Sequence, residues 1–100
     1  MKYENKNFLI RPVESHKELI IESKILDHCV RTYAERVALH KTMIFFVRKQ
    51  ECVDDPFVTL ELKDNKIVQC RGKRNTRPSD EVVSFVNAWC RKFKLETCFV

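Results

Sequence analysis

Residues 57–71 read FVTLELKDNKIVQCR, two stretches in which apolar and polar side chains alternate, separated by the turn-forming DNK. Alternation with a period of two is the pattern of a strand with one covered face. Val58, Leu60 and Leu62 share one side of the first stretch, and Val68 and Cys70 share one side of the second. Thr59, Glu61, Gln69 and Arg71 fall on the opposite side. Direct partners in an antiparallel pair must share a face, so even positions must meet even and odd must meet odd. A three-residue loop of Asp64, Asn65 and Lys66 satisfies that rule. It sets Leu62 against Val68 and Leu60 against Cys70 on the core side, with Glu61 against Gln69 and Thr59 against Arg71 on the other.

The rest of the chain must cover this hairpin. FLI at Phe8 to Ile10 reads as a short strand closed by Arg11-Pro12. SHKE at Ser15 to Glu18 is a capping box, which predicts a short helix through Leu19, Ile20 and Ile21. Beyond the polar Glu22-Ser23-Lys24, the residues Leu26, Cys29, Val30, Tyr33 and Val37 recur at helical spacing, predicting a second helix that ends near Leu39. TMIFFVRK reads as a buried strand, since five consecutive apolar residues are too few for a helix. Pro78 and Ser79 open a last helix, with Asp80 and Glu81 where the dipole favours carboxylates. Its stripe is Val82, Phe85, Val86, Trp89, Cys90 and Phe93, and ETCFV is a candidate edge strand. The expected fold is α+β, in the order β-α-α-β-β-β-α-(β): an antiparallel sheet of three to five strands with helices packed on one face. One domain over residues 1–100 is expected from the length.

Composition excludes several classes. Hydrophobic residues at 44% and charged residues at 33% fit a folded chain and not a disordered one. The longest apolar run, Met43 to Val47, is far below the ~18 residues of a membrane span, and the N-terminus lacks the apolar segment of a signal peptide, so a cytoplasmic protein away from membranes is expected. Five cysteines at 29, 52, 70, 90 and 98, without close pairing, predict free thiols and neither a disulfide framework nor a zinc site. No cofactor motif is present, and a single glycine, Gly72, excludes a glycine-rich phosphate cradle. Gly72 is expected to let the backbone leave its strand through a conformation costly for other residues. The formal net charge of +5 is compatible with nucleic acid or an acidic protein partner.

Three groups carry candidate chemistry. His28 and Cys29 are adjacent in the second predicted helix, where consecutive side chains point about 100° apart, so they do not form a local nucleophile and base. Cys29 and Tyr33 belong to the apolar stripe. His28 lies off it, as a boundary histidine or as a general acid or base. Thr59, Glu61, Gln69 and Arg71 are either the wet side of a two-layer sheet or one connected network, which Arg48 joins if its register matches. RGKRNTR gathers Arg71, Lys73, Arg74 and Arg77 around Asn75, either as a solvated basic loop or as phosphate contacts.

Taken together, LDHCVRTYAERV, IFFVRK, PFVTLELKDNKIVQCRGKRN and a helix containing FVNAW resemble the PcfJ-like family of conjugative plasmids, phages and related mobile elements. The resemblance runs from about Glu22 to Trp89. It rests on His28-Cys29-Val30 with Tyr33, Arg48, Thr59 with Glu61, and Gln69 with Arg71-Gly72 and Asn75. Glycines often found in the family are replaced here by Ser23, Arg31 and His40, and Arg31 adds bulk beside His28-Cys29. The resemblance implies a mobile-element setting and a bare form of the domain; it implies no mechanism.

Three functions remain open at this level. In the first, a basic binding module contacts nucleic acid or a host protein through Arg48, Thr59, Gln69, Arg71, Lys73, Arg74, Asn75 and Arg77. In the second, an enzyme uses His28, Glu61 and Arg71 on an anionic or amide substrate. In the third, a small phage or plasmid factor inhibits a host complex.

Overall fold

A computed structural model of the chain describes residues 1–26 and 42–97. Five strands form one antiparallel sheet whose spatial order follows the sequence: β1 (Tyr3–Glu4), β2 (Phe8–Pro12), β3 (Met43–Lys49), β4 (Val58–Lys63) and β5 (Lys66–Arg71). Two helices are described, α1 (His16–Leu26) and α2 (Asp80–Phe93). The α+β class and the element order agree with the sequence pattern, with β1 as an added edge strand. The second predicted helix, with His28, Cys29, Val30 and Tyr33, lies outside the described residues. So do residues 98–100 of the candidate last strand; before them, Glu96 bridges to Lys66 in parallel at the edge of β5.

The two helices cover opposite faces of the sheet, which corrects the expectation of helices on one face. Phe45 and Val47 of β3 pack with Ile10, Leu60, Ile67 and the Val82, Phe85, Val86 and Trp89 stripe of α2. Ile44 and Phe46, the alternate residues of β3, pack with Leu19 of α1 and with Val13. A five-residue apolar run is what a strand covered on both sides requires. The physical reason lies in β3 itself: two apolar faces on one strand need a layer on each side.

The α2 layer is the larger core. Trp89 is fully buried, meets Phe45 edge to face at 4.9 Å between centroids, and donates its indole N–H to the Met1 carbonyl at 2.9 Å. That bond ties the first residue to the last helix. Ser79 caps α2 by accepting the Val82 amide, and Lys94 closes it in a left-handed conformation, φ 56 and ψ 48.

The β4–β5 hairpin differs from expectation at the two pairs next to its loop. Thr59–Arg71, Leu60–Cys70 and Glu61–Gln69 are partners as predicted, but Leu62 faces Ile67, and Lys63 faces Lys66. The loop is two residues, Asp64 and Asn65, both left-handed at φ 53 and 63, the backbone that a tight hairpin turn needs. A two-residue loop pairs odd with even, so the strand must gain one residue before the faces match. The register shift beyond Glu61 supplies it, leaving Val68 outside at 46% exposure while Ile67 and Cys70 are both fully buried. Gly72 also departs from expectation. Its φ of −94° is ordinary, and what it provides is room, since an added Cβ would lie 3.3 Å from the Thr76 hydroxyl oxygen.

Replacing Trp89 with Ala removes the largest side chain of the α2 core and is expected to cost about 3–5 kcal/mol. Trp89 is the only tryptophan, so urea unfolding followed by far-UV circular dichroism is the appropriate measurement.

Candidate functional site

The face of the sheet beneath α1 carries the polar residues singled out in the sequence, and α1 buries several of them. In α1 the buried residues are Leu19, Glu22 and Leu26, at steps of three and four, so a carboxylate occupies the centre of the helix's inward stripe. It faces Arg48 in β3. The guanidinium donates from Nη1 to Glu22 Oε2 at 2.9 Å and from Nη2 to Oε1 at 2.5 Å, a two-point fork. Thr59 donates its hydroxyl to Glu22 Oε2 at 3.0 Å.

Both charges lie out of water, with Glu22 at 1% and Arg48 at 3% exposure. Removing two ions from water costs several kcal/mol each, so the pair depends on good geometry and on further contacts. The Thr59 hydroxyl and the Arg48 bond to the Val47 carbonyl at 3.3 Å are two of these. A third is the Phe46 ring, whose centroid lies 4.7 Å from the Arg48 guanidinium carbon and 5.3 Å from that of Arg11. Arg48 Nε is buried without a hydrogen-bond partner.

Glu61 is one residue pair along and is also buried, at 2% exposure. The Thr42 hydroxyl lies 2.9 Å from both Glu61 Oε2 and the Leu62 carbonyl oxygen, placed to donate to either. Gln69 and Arg71 stand across from Glu61 and Thr59 at half-buried positions, and Arg71 donates to the Cys70 carbonyl at 3.1 Å. The predicted polar face therefore has two centres: Arg48 and Thr59 join through Glu22, while Glu61 engages Thr42.

The basic segment is displayed outside this core. Lys73, Arg74 and Asn75 form a 3-10 turn, with Arg74 and Asn75 left-handed at φ 58 and 62. Its base is closed by the Gly72 amide donating to the Thr76 carbonyl at 2.8 Å and by the Thr76 hydroxyl donating to the Lys73 carbonyl at 2.7 Å. Lys73, Arg74, Asn75 and Arg77 are all exposed. The turn packs against α1, and between them and the start of α2 lies an open groove of about 440 Å³.

A family model described as PcfJ-like protein matches residues 1–86. The chain belongs to the PcfJ-like family. It is 37% identical over 82 residues to an uncharacterized protein of Listeria innocua, Lin1253/Lin1744, a match covering 80% of this chain and 18% of that protein. The chain thus spans about a fifth of the length of that relative. No solved structure matches it.

Among the described residues of this PcfJ-like chain, no three His, Cys, Asp or Glu side chains gather as metal ligands, and no helix is long and apolar enough to cross a membrane. His28 lies outside the described residues. The residue that sequence reasoning missed is Glu22, which looked like a break between two helices. Its signal was its position, three residues after Leu19 and four before Leu26, where a stripe residue belongs.

A second ion pair fixes the beginning of α1. The Glu18 amide donates to Ser15 Oγ at 3.1 Å, which is half of the predicted capping box. The Glu18 carboxylate instead accepts the Glu14 amide at 2.9 Å and pairs with Arg11. Partial burial opposes its charge, but the Arg11 hydrogen bond and the Glu14 amide outweigh that, holding its pKa below the usual carboxyl value. The Glu18 hydrogen bond raises the pKa of Arg11 in turn, so Arg11 stays charged.

Two predictions follow from these pairs. Glu22→Gln leaves the Arg48 charge uncompensated and is expected to cost about 3–5 kcal/mol, whereas Glu22→Leu with Arg48→Met removes both charges and is expected to be more stable than either single change, as denaturant midpoints would show. Glu18, with its folded pKa lowered, stabilises the fold above the ordinary glutamate value of about 4.3, and that contribution is lost as pH falls through the folded value. Urea midpoints between pH 6 and pH 3 should therefore fall more steeply in the native chain than in Glu18→Gln.

Proposed function

We propose that this PcfJ-like domain is a basic binding module of a mobile element, acting in the cytoplasm and contacting nucleic acid through Lys73, Arg74 and Arg77, with Arg71 and Asn75 beside them. The observation that carries this reading is the built turn: a short segment closed by its own hydrogen bonds, with two left-handed residues, that holds Lys73 and Arg74 in solvent, with the exposed Arg77 directly after it. Cations held on a fixed frame lose less freedom on binding than cations on a loose loop.

The enzymatic alternative has less support from the geometry. Glu61 is buried and engaged with Thr42, and Thr59 and Arg48 are enclosed by Glu22, so Arg71 alone of the proposed reacting residues has substantial exposure among those described. The contribution of Arg48, Thr59 and Gln69 in this reading is to hold the sheet beneath α1 and the turn.

Fluorescence anisotropy with labelled oligonucleotides at two salt concentrations tests the proposal. Binding should weaken steeply with salt, and replacing Lys73, Arg74 and Arg77 together with Ala should lower the slope of log affinity against log salt by about 2–3. Binding unchanged by the triple replacement, or absent at low salt, would overturn it.

A further inference from the structure

Open grooves on the described surface differ in their charges. One of about 560 Å³ carries Glu51 and Glu81 beside Lys6 and Lys49. Another, of about 530 Å³, carries Asp80 and Glu81 beside Arg91. The groove of about 440 Å³ behind the basic turn has Lys73 and Arg77 on its rim and no carboxylate among its described lining residues. Among its described lining residues, an anion meets the cations of Lys73 and Arg77.

Its walls are apolar. Pro56, Phe57 and Pro78 contribute rings from one side, and Ile25 and Leu26 close it from the end of α1. Phe57 is held in place by stacking on Phe8, at 6.2 Å between centroids and 8° between planes. Ile25 is 53% exposed although it sits at a helix end packed near this turn. A phosphate backbone alone needs the cations and no apolar floor. A duplex keeps its bases stacked inside and has little to place in such a slot, whereas a single strand presents an apolar, flat base next to every phosphate.

Resting on the nucleic-acid reading above, we infer that this groove takes one unpaired nucleotide of a single strand, its base between Ile25 and the Pro56, Phe57 and Pro78 wall and its phosphate against Lys73 and Arg77. The volume is adequate for one nucleotide. Specificity for unpaired strands follows from the apolar slot, and affinity from the rim.

Ile25→Asn tests the slot without changing the charge beside the cations, since Ile25 is exposed and the change leaves the core intact. Its binding to a 12-mer single strand and to the matching 12-bp duplex is compared with that of the native chain by anisotropy, with thermal melting as a check that the fold is retained. The native chain should prefer the single strand by about tenfold or more, and Ile25→Asn should lose most of that preference while its duplex binding changes about threefold or less. Equal or tighter native binding to duplex, or an unchanged preference in Ile25→Asn, overturns the slot and leaves the basic turn standing. Binding of neither strand form at low salt overturns both, as does binding of an acidic aromatic peptide in place of either.

Discussion

The ion pair between Glu22 and Arg48 determines how this domain is layered. A carboxylate at the centre of a helix's inward stripe cannot rest on an apolar sheet, because its desolvation would go uncompensated. It rests on this sheet because β3 presents Arg48 at the matching place and β4 presents Thr59 beside it. Leu19 and Leu26 supply the apolar contact on either side of Glu22, and the charge pair fixes where along the strand that contact occurs. An apolar stripe alone would allow α1 to slide by a turn, whereas a two-point fork to one guanidinium does not.

The opposite face follows a different rule. There α2 packs by shape, with Trp89 against Phe45 and Phe85 against Phe8 and Tyr3. β3 separates the two regimes. Phe45 and Val47 belong to the α2 core, while Phe46 lies under two guanidinium groups on the α1 side. The aromatic ring serves both as an apolar contact for Leu19 and as a favourable surface for cations, which is how an apolar strand face accommodates arginine neighbours.

Much of this was legible in residues 57–71, where alternation identified the hairpin, its faces and three of its five pairs. The remaining pairs depended on Asp64 and Asn65 both adopting positive φ, a preference that their residue types share with many loop positions. Parity then required a bulge, which no periodicity in the sequence announces, and Val68 rather than Ile67 went outside. The helix α2 was readable end to end, because its cap, its acidic first turn and its stripe agree. The position of α1 was not readable from local pattern. Ile20 and Ile21 gave the stronger apolar signal, yet Ile21 is 46% exposed, and the buried position belongs to Glu22. What decided it was a partner 26 residues away, and only tertiary structure brings that partner into view.

The family motif residues divide by exposure. Arg48, Thr59 and Glu61 are interior, and each is engaged by a neighbour on its own face; Gln69 and Arg71 are half-buried, and Asn75 is outside, between the exposed Arg74 and Arg77 of the basic segment. The two sets are nevertheless mechanically connected. Thr59 is the cross-strand partner of Arg71, and Arg71 leads directly into Gly72 and the basic turn, against which α1 also packs. The bond from Thr59 to Glu22 thus joins β4, the sheet partner of the strand that launches the turn, to the helix against which the turn packs. A short polar network of this kind has a use that apolar packing lacks: it specifies one register, and so it specifies where Lys73, Arg74 and Arg77 emerge relative to the groove beside them.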